Sequence, residues 1–267
     1  MRVVVCAKEV LDPDAVNNYA LEGRLVIGDD GLSLTQTTIP RLMNAYDEQA
    51  IEAALKLRDQ GVDISLAVVS VGEEPGGILK HAMAMGADEI VHIKSEHKDP
   101  HAVGELLGAH LGAEAVPELI LCGRQASDDD QGVVPAVIAE GLGLPLVTVA
   151  RAVECCRVGG SAGLRVTRVT PDGDEVVETA LPAVVTISSE IGEARYPTMA
   201  GKMAARRKQA ALIDGAGLVE GEKLQPKVRP VRQFVPLIQG DCEFIDGDSP
   251  AELAAALVET LRQEKVL

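Results

Sequence analysis

The sequence predicts an α/β protein with a doubly wound, mostly parallel sheet, antiparallel strands added late and an arm at the C-terminal end. Three observations carry this. Arg2 to Ala7 is almost unbroken Val, the composition of a central parallel strand covered on both faces. Ile64 to Val71, Glu89 to Lys94 and Leu119 to Cys122 are further short apolar runs separated by helical spacing, and such βαβ alternation prescribes right-handed crossovers into one sheet. After Pro145 the pattern changes. Leu146 to Val153, Leu164 to Thr170, Glu175 to Leu181 and Ala183 to Ile187 are separated only by turns such as Gly159-Gly160 and Pro171-Asp172-Gly173, so antiparallel strands are expected there.

In chain order, the first strand gives way to a polar stretch in which Arg24 to Ile27 and Leu32 to Leu34 flank Gly28-Asp29-Asp30-Gly31 as an edge hairpin. Asn44 or Asp47 then caps a helix whose apolar stripe is Ala50, Ile51, Ala54, Leu55 and Leu57, ending near Gly61. The second strand turns at Gly72 to Gly77. A helix from Ile78 to Met85, with Met83 and Met85 as core filler, stops at Gly86, and the third strand follows. Val103 to Leu111 forms the next helix before Leu119 to Cys122. That run stops at Gly123, and helical spacing resumes through Val134, Ile138 and Leu142, with Pro135 in the first turn and Asp130 as a cap.

Ser188 to Lys208 carries a polar loop and an Ala-rich basic helix. Residues 214–247 are punctuated by Pro and Gly without a regular period, which is long for a packed loop and suggests an arm lying on another surface. Ser249-Pro250 opens a closing helix with Leu253, Leu257 and Leu261 in one stripe. The expected division is an α/β domain over residues 1–212 and an arm with its helix over residues 213–267.

Composition narrows the function. The chain has 267 residues, 46% of them apolar, so it can bury a full core. With a net charge of −16, three Tyr, two Phe and no Trp, it lacks both the basic surface and the stacking platforms of a nucleic-acid binder. The five Cys (Cys6, Cys122, Cys155, Cys156 and Cys242) form no CxxC and read as buried small hydrophobes in a reducing compartment. No spacing of His with Cys or carboxylates suggests a metal site. No charged leader with an apolar signal segment and no bilayer-length apolar run is present, so the expectation is a cytoplasmic protein without membrane insertion.

A helix that starts at a strand's carboxyl end in an open α/β sheet offers backbone N–H groups to a phosphate-bearing ligand. The stretch Gly123-Arg124-Gln125-Ala126-Ser127-Asp128-Asp129-Asp130-Gln131-Gly132 occupies such a place. Its three carboxylates repel phosphate unless they cap backbone, face solvent or meet hydroxyls. Taken alone, the unit reads as an ordinary βα connection.

Four stretches together resemble the small, or beta, subunit of electron-transfer flavoproteins. They are Ala82-Met83-Ala84-Met85-Gly86-Ala87-Asp88, Gly123 to Asp128, the segment from Val166 to Ile187 with its acidic turn, Pro182 and apolar strand, and Arg195-Tyr196-Pro197-Thr198-Met199 with its basic helix. The resemblance implies an adenine-nucleotide-binding α/β fold, a larger alpha subunit as partner, and one bound AMP, or a second FAD in bifurcating members. The redox FAD would sit mainly on the alpha subunit, making this chain half of an electron carrier and no enzyme by itself. By the same resemblance the nucleotide touches Cys6, Ala7, Asn44, Ala45, Val71, Gly123, Arg124, Gln125, Ala126, Asp128 and Asp130. Past the Asp run the family often places Asn, Gln or Thr against phosphate; here stand Gln131, Gly132, Val133 and Val134, which leaves AMP and FAD both open. Arg195, Tyr196, Pro197, Met199 and Lys202 match the loop that docks dehydrogenases, with Met199 as the apolar anchor. On its own residues the cluster of Lys202, Arg206, Arg207 and Lys208 reads equally as cations complementing a helix C-terminus.

Two rivals remain at this level. A nucleotide-dependent enzyme of the ATP-ligase or pyrophosphatase type needs a grip on triphosphate, yet Cys6-Ala7-Lys8-Glu9-Val10 follows the first strand where a phosphate-binding loop belongs. An adenine-nucleotide sensor explains the fold without electron transfer.

Overall fold

A computed structural model describes residues 1–36, 38–235 and 242–267. Its contacts divide into two compact units, residues 1–233 and 234–267.

The first unit contains β1 (Arg2–Cys6), β2 (Glu9–Leu11), α1 (Pro13–Leu21), β3 (Arg41–Met43), α2 (Ala45–Asp59), β4 (Ser65–Gly72), α3 (Gly76–Met85), β5 (Glu89–Lys94), α4 (Pro100–Gly112), β6 (Leu119–Gly123) and α5 (Val134–Leu142). It continues through β7 (Leu146–Val158), β8 (Ser161–Thr170), β9 (Gly173–Ala180), β10 (Ala183–Ile187), α6 (Met199–Arg207) and β11 (Ala211–Asp214). The described strands form a nine-stranded sheet in the order β11-β5-β4-β1-β6-β10-β7-β8-β9, and β2 pairs with β3 outside it. Pairing is parallel from β11 through β7 and antiparallel across β7-β8-β9.

The Val run of β1 explains the centre of this sheet. Val3 and Val5 face a core that holds Ala50, Ile51, Ala54 and Leu55 of α2 and Leu79, Ala82 and Met83 of α3. Val4 and Cys6 face the other way, into a core with Leu107 and Leu111 of α4 and Ile138 and Ala139 of α5. A strand covered on both faces cannot alternate apolar with polar, hence its composition. The chain runs from β1 to β4 and β5 on one side and then crosses to β6 on the other, so the β1–β6 boundary is the topological switch point.

The second unit contains α7 (Pro250–Gln263), opened by the Ser249 hydroxyl oxygen, which accepts from the Glu252 N–H. Leu253 and Leu257 are exposed and α7 has no buried residue.

Several expectations need correction. Among the four late strands, β10 enters parallel between β6 and β7, because strand order depends on distant pairing and not on local spacing. The expected hairpin around Gly28 to Gly31 reduces to one bridge between Ile27 and Leu34. Asp130 does not cap α5: it sits at φ 53°, and its carboxylate accepts from the Gln125 side chain. Asn44 occupies the N-cap position of α2 without a capping bond, since its amide is engaged elsewhere. Of the cysteines, Cys6 and Cys122 are buried, but Cys155 and Cys242 are exposed and Cys156 is half-buried; Cys155 and Cys156 lie where the long β7–β8 hairpin leaves the core. Helix α1, the short pair β2–β3 and the edge strand β11 were not expected.

Candidate functional site

The switch-point crevice is assembled from the residue after β1, the start of α2 and the turn after β6. Lys8 and Asn44 are tied first: the Asn44 N–H donates to the Lys8 carbonyl at 2.9 Å. Three residues along, the Asp47 carboxylate accepts from the Lys8 N–H at 2.8 Å and from the Gly123 N–H at 2.9 Å. One buried carboxylate thus joins the ends of β1 and β6. Gly123 is required for this approach, because a Cβ there would lie 2.5 Å from Asp47 Oδ1 and 2.6 Å from Tyr46 Cβ. Burial pushes Asp47 up to about 6, while the Lys8 and Gly123 N–H groups, the Asn44 side chain and the Lys8 ammonium pull the other way.

Asn44, only 2% exposed, fixes the turn itself. Its amide nitrogen donates to the Gln125 carbonyl at 2.9 Å and its oxygen accepts from the Ser127 N–H at 3.2 Å. Each carboxylate of the Asp run has a partner. Lys8 Nζ stands 2.7 Å from Asp128 and 3.2 Å from Asp129, Asp129 also accepts from the Gln131 N–H, and Asp130 accepts from Gln125 Nε2 at 2.7 Å. A cation after β1 offsets part of this charge, and an amide within the turn hydrogen-bonds the third carboxylate.

Arg124 donates its N–H to the Ile187 carbonyl at 2.9 Å, and its guanidinium lies 5.0 Å from the centroid of the Tyr46 ring. Among the described residues, Arg124 Nε and Ser127 Oγ are buried without a hydrogen-bond partner. Unpaired buried polar atoms are costly, so the polar atoms of this turn are available to a partner. Glu190 sits nearby in charge terms. The Ser188 hydroxyl bonded to it holds its carboxyl below the usual range, with the Arg124 guanidinium adding to the effect.

The residues singled out for nucleotide separate as follows. Cys6 and Ala7 end β1, Val71 lies at the end of the adjacent β4, and Asn44 and Ala45 open α2. Gly123, Arg124, Gln125, Ala126, Asp128, Asp130, Gln131, Gly132 and Val133 form the β6–α5 connection, and Val134 begins α5. A Cβ on Gly132 would lie 2.5 Å from the Arg124 carbonyl oxygen, so Gly132 keeps the turn closed. The first N–H groups of α5 have no acceptor within the helix. Lys8, Tyr46 and Asp47 join the same constellation, which sequence reading did not assign to it. Asp47 had been read only as a helix cap, since nothing local reveals a bond to a strand end 76 residues away.

The residues matched to a docking loop lie in the segment before α6 and on α6, apart from this crevice, and that segment is anchored on α2. Arg195 grips Glu52 of α2 through Nε at 2.8 Å and an amino group at 3.0 Å, and reaches Asp59 at 2.6 Å. Lys56 donates to the Ile191 carbonyl at 2.6 Å. Tyr196 (93% exposed) and Met199 (73%) project from this anchored segment, and Lys202 is exposed beside Met203 on α6.

Residues 31–215 match the electron transfer flavoprotein domain. The electron transfer flavoprotein subunit beta of Syntrophomonas wolfei is 36% identical over 221 residues, covering 81% of each chain. That of Bacillus subtilis is 32% identical over 229 residues, covering 84% of this chain and 86% of its own. The caffeyl-CoA reductase-Etf complex subunit CarD of Acetobacterium woodii is 29% identical across the full length of both chains.

Proposed function

The chain belongs to the electron transfer flavoprotein family, among its beta subunits, and from that premise we propose that it is the small subunit of a heterodimeric electron carrier, holding one AMP in the switch-point crevice while an alpha subunit holds the redox FAD. The nucleotide assignment rests on Arg124 Nε and Ser127 Oγ, the two buried polar atoms left without partners in the β6–α5 turn. The residues present fit a nucleotide. Cys6, Ala7, Ala45 and Val71 give the crevice apolar walls, the polar turn from Gln125 to Gln131 suits ribose hydroxyls, and the N–H groups of Gly132, Val133 and Val134 suit a single phosphate. No phosphate-binding lysine loop follows β1, because Lys8 is engaged with Asp128 and Asp129; this favours AMP over a ligand with more phosphates.

The partner's FAD supplies the electron chemistry, and AMP none. What this chain contributes is shape: Asn44 and Asp47 set the crevice, and α2 carries the loop that presents Tyr196, Pro197, Met199 and Lys202. An exposed flexible thioether beside cations suits transient docking of dehydrogenases, since it repacks against different surfaces while charge steers encounter. The free thiols favour a reducing compartment, and we place the complex in the cytoplasm.

Co-expression with the alpha subunit tests the reading. A yellow one-to-one complex that accepts electrons from a dehydrogenase supports it; steady ATP turnover by the isolated chain overturns it in favour of a nucleotide-dependent enzyme.

A further inference from the structure

We infer that Asp47 is a positioning residue for the nucleotide, acting as a carboxylate clamp that holds the ends of β1 and β6 at the separation the ligand requires. This rests on the nucleotide reading above and adds a residue and a dependence to it. Asp47 is 5% exposed, and both its oxygens are committed, Oδ2 to the Lys8 N–H and Oδ1 to the Gly123 N–H. The Gly123 amide ends β6 and the Lys8 amide follows two residues after the neighbouring β1, on either side of the switch point, where ligands of open α/β sheets bind. Lys8 also carries the ammonium that pairs with Asp128 and Asp129, and Gly123 begins the turn that Asn44 fixes through Gln125 and Ser127. Moving either strand end therefore moves the whole turn. Asp47 is buried and both its oxygens point to backbone N–H groups, so it acts through the amides it holds.

The clamp needs the ionised form. A neutral carboxyl turns one oxygen into a donor, which faces an N–H and leaves either Lys8 or Gly123 without an acceptor. The groups facing Asp47 are the Asn44 side chain beside it on α2, the Lys8 ammonium after β1, and the Cys122 thiol on β6 against Cys6 on β1. Only Lys8 among these favours the carboxylate by charge at close range, and burial opposes it, which brings the proton equilibrium up to about 6.

The test uses the full chain, with AMP as the probe, titrated calorimetrically between pH 5 and 8 in the wild type and Asp47→Asn. AMP's own phosphate also titrates near pH 6, so the readout is the ratio of wild-type to variant affinity. The expected ratio is about tenfold at pH 7.5, falling towards one at pH 5. A ratio near one at pH 7.5, or one unchanged with pH, overturns the clamp. Independently of ligand and of the variant's folding, the Lys8 and Gly123 amide proton resonances of the wild type should shift together, with a common midpoint near 6. Amides that do not titrate also overturn it. A wild type whose amides titrate but which binds no AMP at any pH sinks the nucleotide reading and the positioning role with it, while leaving the hydrogen bonds in place.

Discussion

Arg195 and Glu52 are 143 residues apart in the chain and meet in a two-bond grip, with Glu52 almost fully buried beneath the guanidinium. The Arg195 N–H adds a third bond to the same carboxylate. Arg195, expected among the docking residues by the family likeness, anchors the segment that bears Tyr196 and Met199. Replacing it by Met leaves a buried carboxylate without its partner. After discounting for the partial exposure of Arg195, Arg195→Met is expected to destabilise the chain by about 2 kcal/mol. Thermal unfolding measures that loss, and amide hydrogen exchange over residues 191–197 should accelerate while the sheet stays protected.

Gly132→Val is expected to empty the nucleotide site without unfolding the chain. The added Cβ meets the Arg124 carbonyl at 2.5 Å, and opening the turn to relieve that contact displaces Arg124 and Ser127 together. Nucleotide content after purification should drop at least tenfold, with an unchanged circular dichroism spectrum. Full nucleotide content in the variant would put the ligand elsewhere.

Asp47 also gives the fold a pH signature of opposite sign to its role in the site. Its native value is raised from 3.8 to about 6, so between these values the native state holds a proton that the unfolded chain has lost. Stability therefore falls as pH rises through this window and is recovered on acidification. Relative to Asp47→Asn, the wild type should gain on the order of 3 kcal/mol between pH 7 and pH 4, with no further relative change above about pH 7. Denaturant titrations at the two pH values check this; a gain on raising the pH would contradict the buried carboxylate.

The segment near residue 228 is held by Asp99, whose carboxylate accepts from the N–H groups of Lys227 and Val228 while capping α4 through His101 and Ala102. Burial raises its proton affinity, but the four donors outweigh burial and hold it below the usual carboxylate range. Asp99→Ala should release residues 218–228 to limited proteolysis and fray the start of α4. Unchanged cleavage would mean that Leu224, packed against Ala102 and Leu106, suffices alone.

The arm remains a proposal with its own test. In helix α7 Leu253 and Leu257 are exposed and Leu261 is half-buried, and fully covering the three contributes on the order of 5 kcal/mol before ordering costs. Deleting residues 242–267 should weaken assembly with the alpha subunit and leave the fold of residues 1–190 intact, as judged by size-exclusion chromatography and circular dichroism. Equally tight assembly would rule the arm out.

The central strands were legible because burial on both faces demands continuous apolar sequence: β5 spans the same residues, Glu89–Lys94, in sequence and structure. Helix α1 was not legible because it buries nothing, and β11 because an exposed edge strand needs little apolar pattern. The parallel entry of β10 depends on strand order, which no local period encodes. The turn after β6 was recognisable from its residues, but its working parts join positions far apart. Asn44 meets Gln125 across 81 residues and Asp47 meets Gly123 across 76; the sequence reads Asp47 as a helix cap and Asn44 as a cap or a nucleotide contact.

Acid extraction of nucleotide from the purified complex with the alpha subunit, resolved by chromatography, tests the central claim most directly. The account predicts one AMP and one FAD per heterodimer, with AMP lost and FAD kept in Gly132→Val. Two FAD and no AMP, or FAD alone, would contradict it.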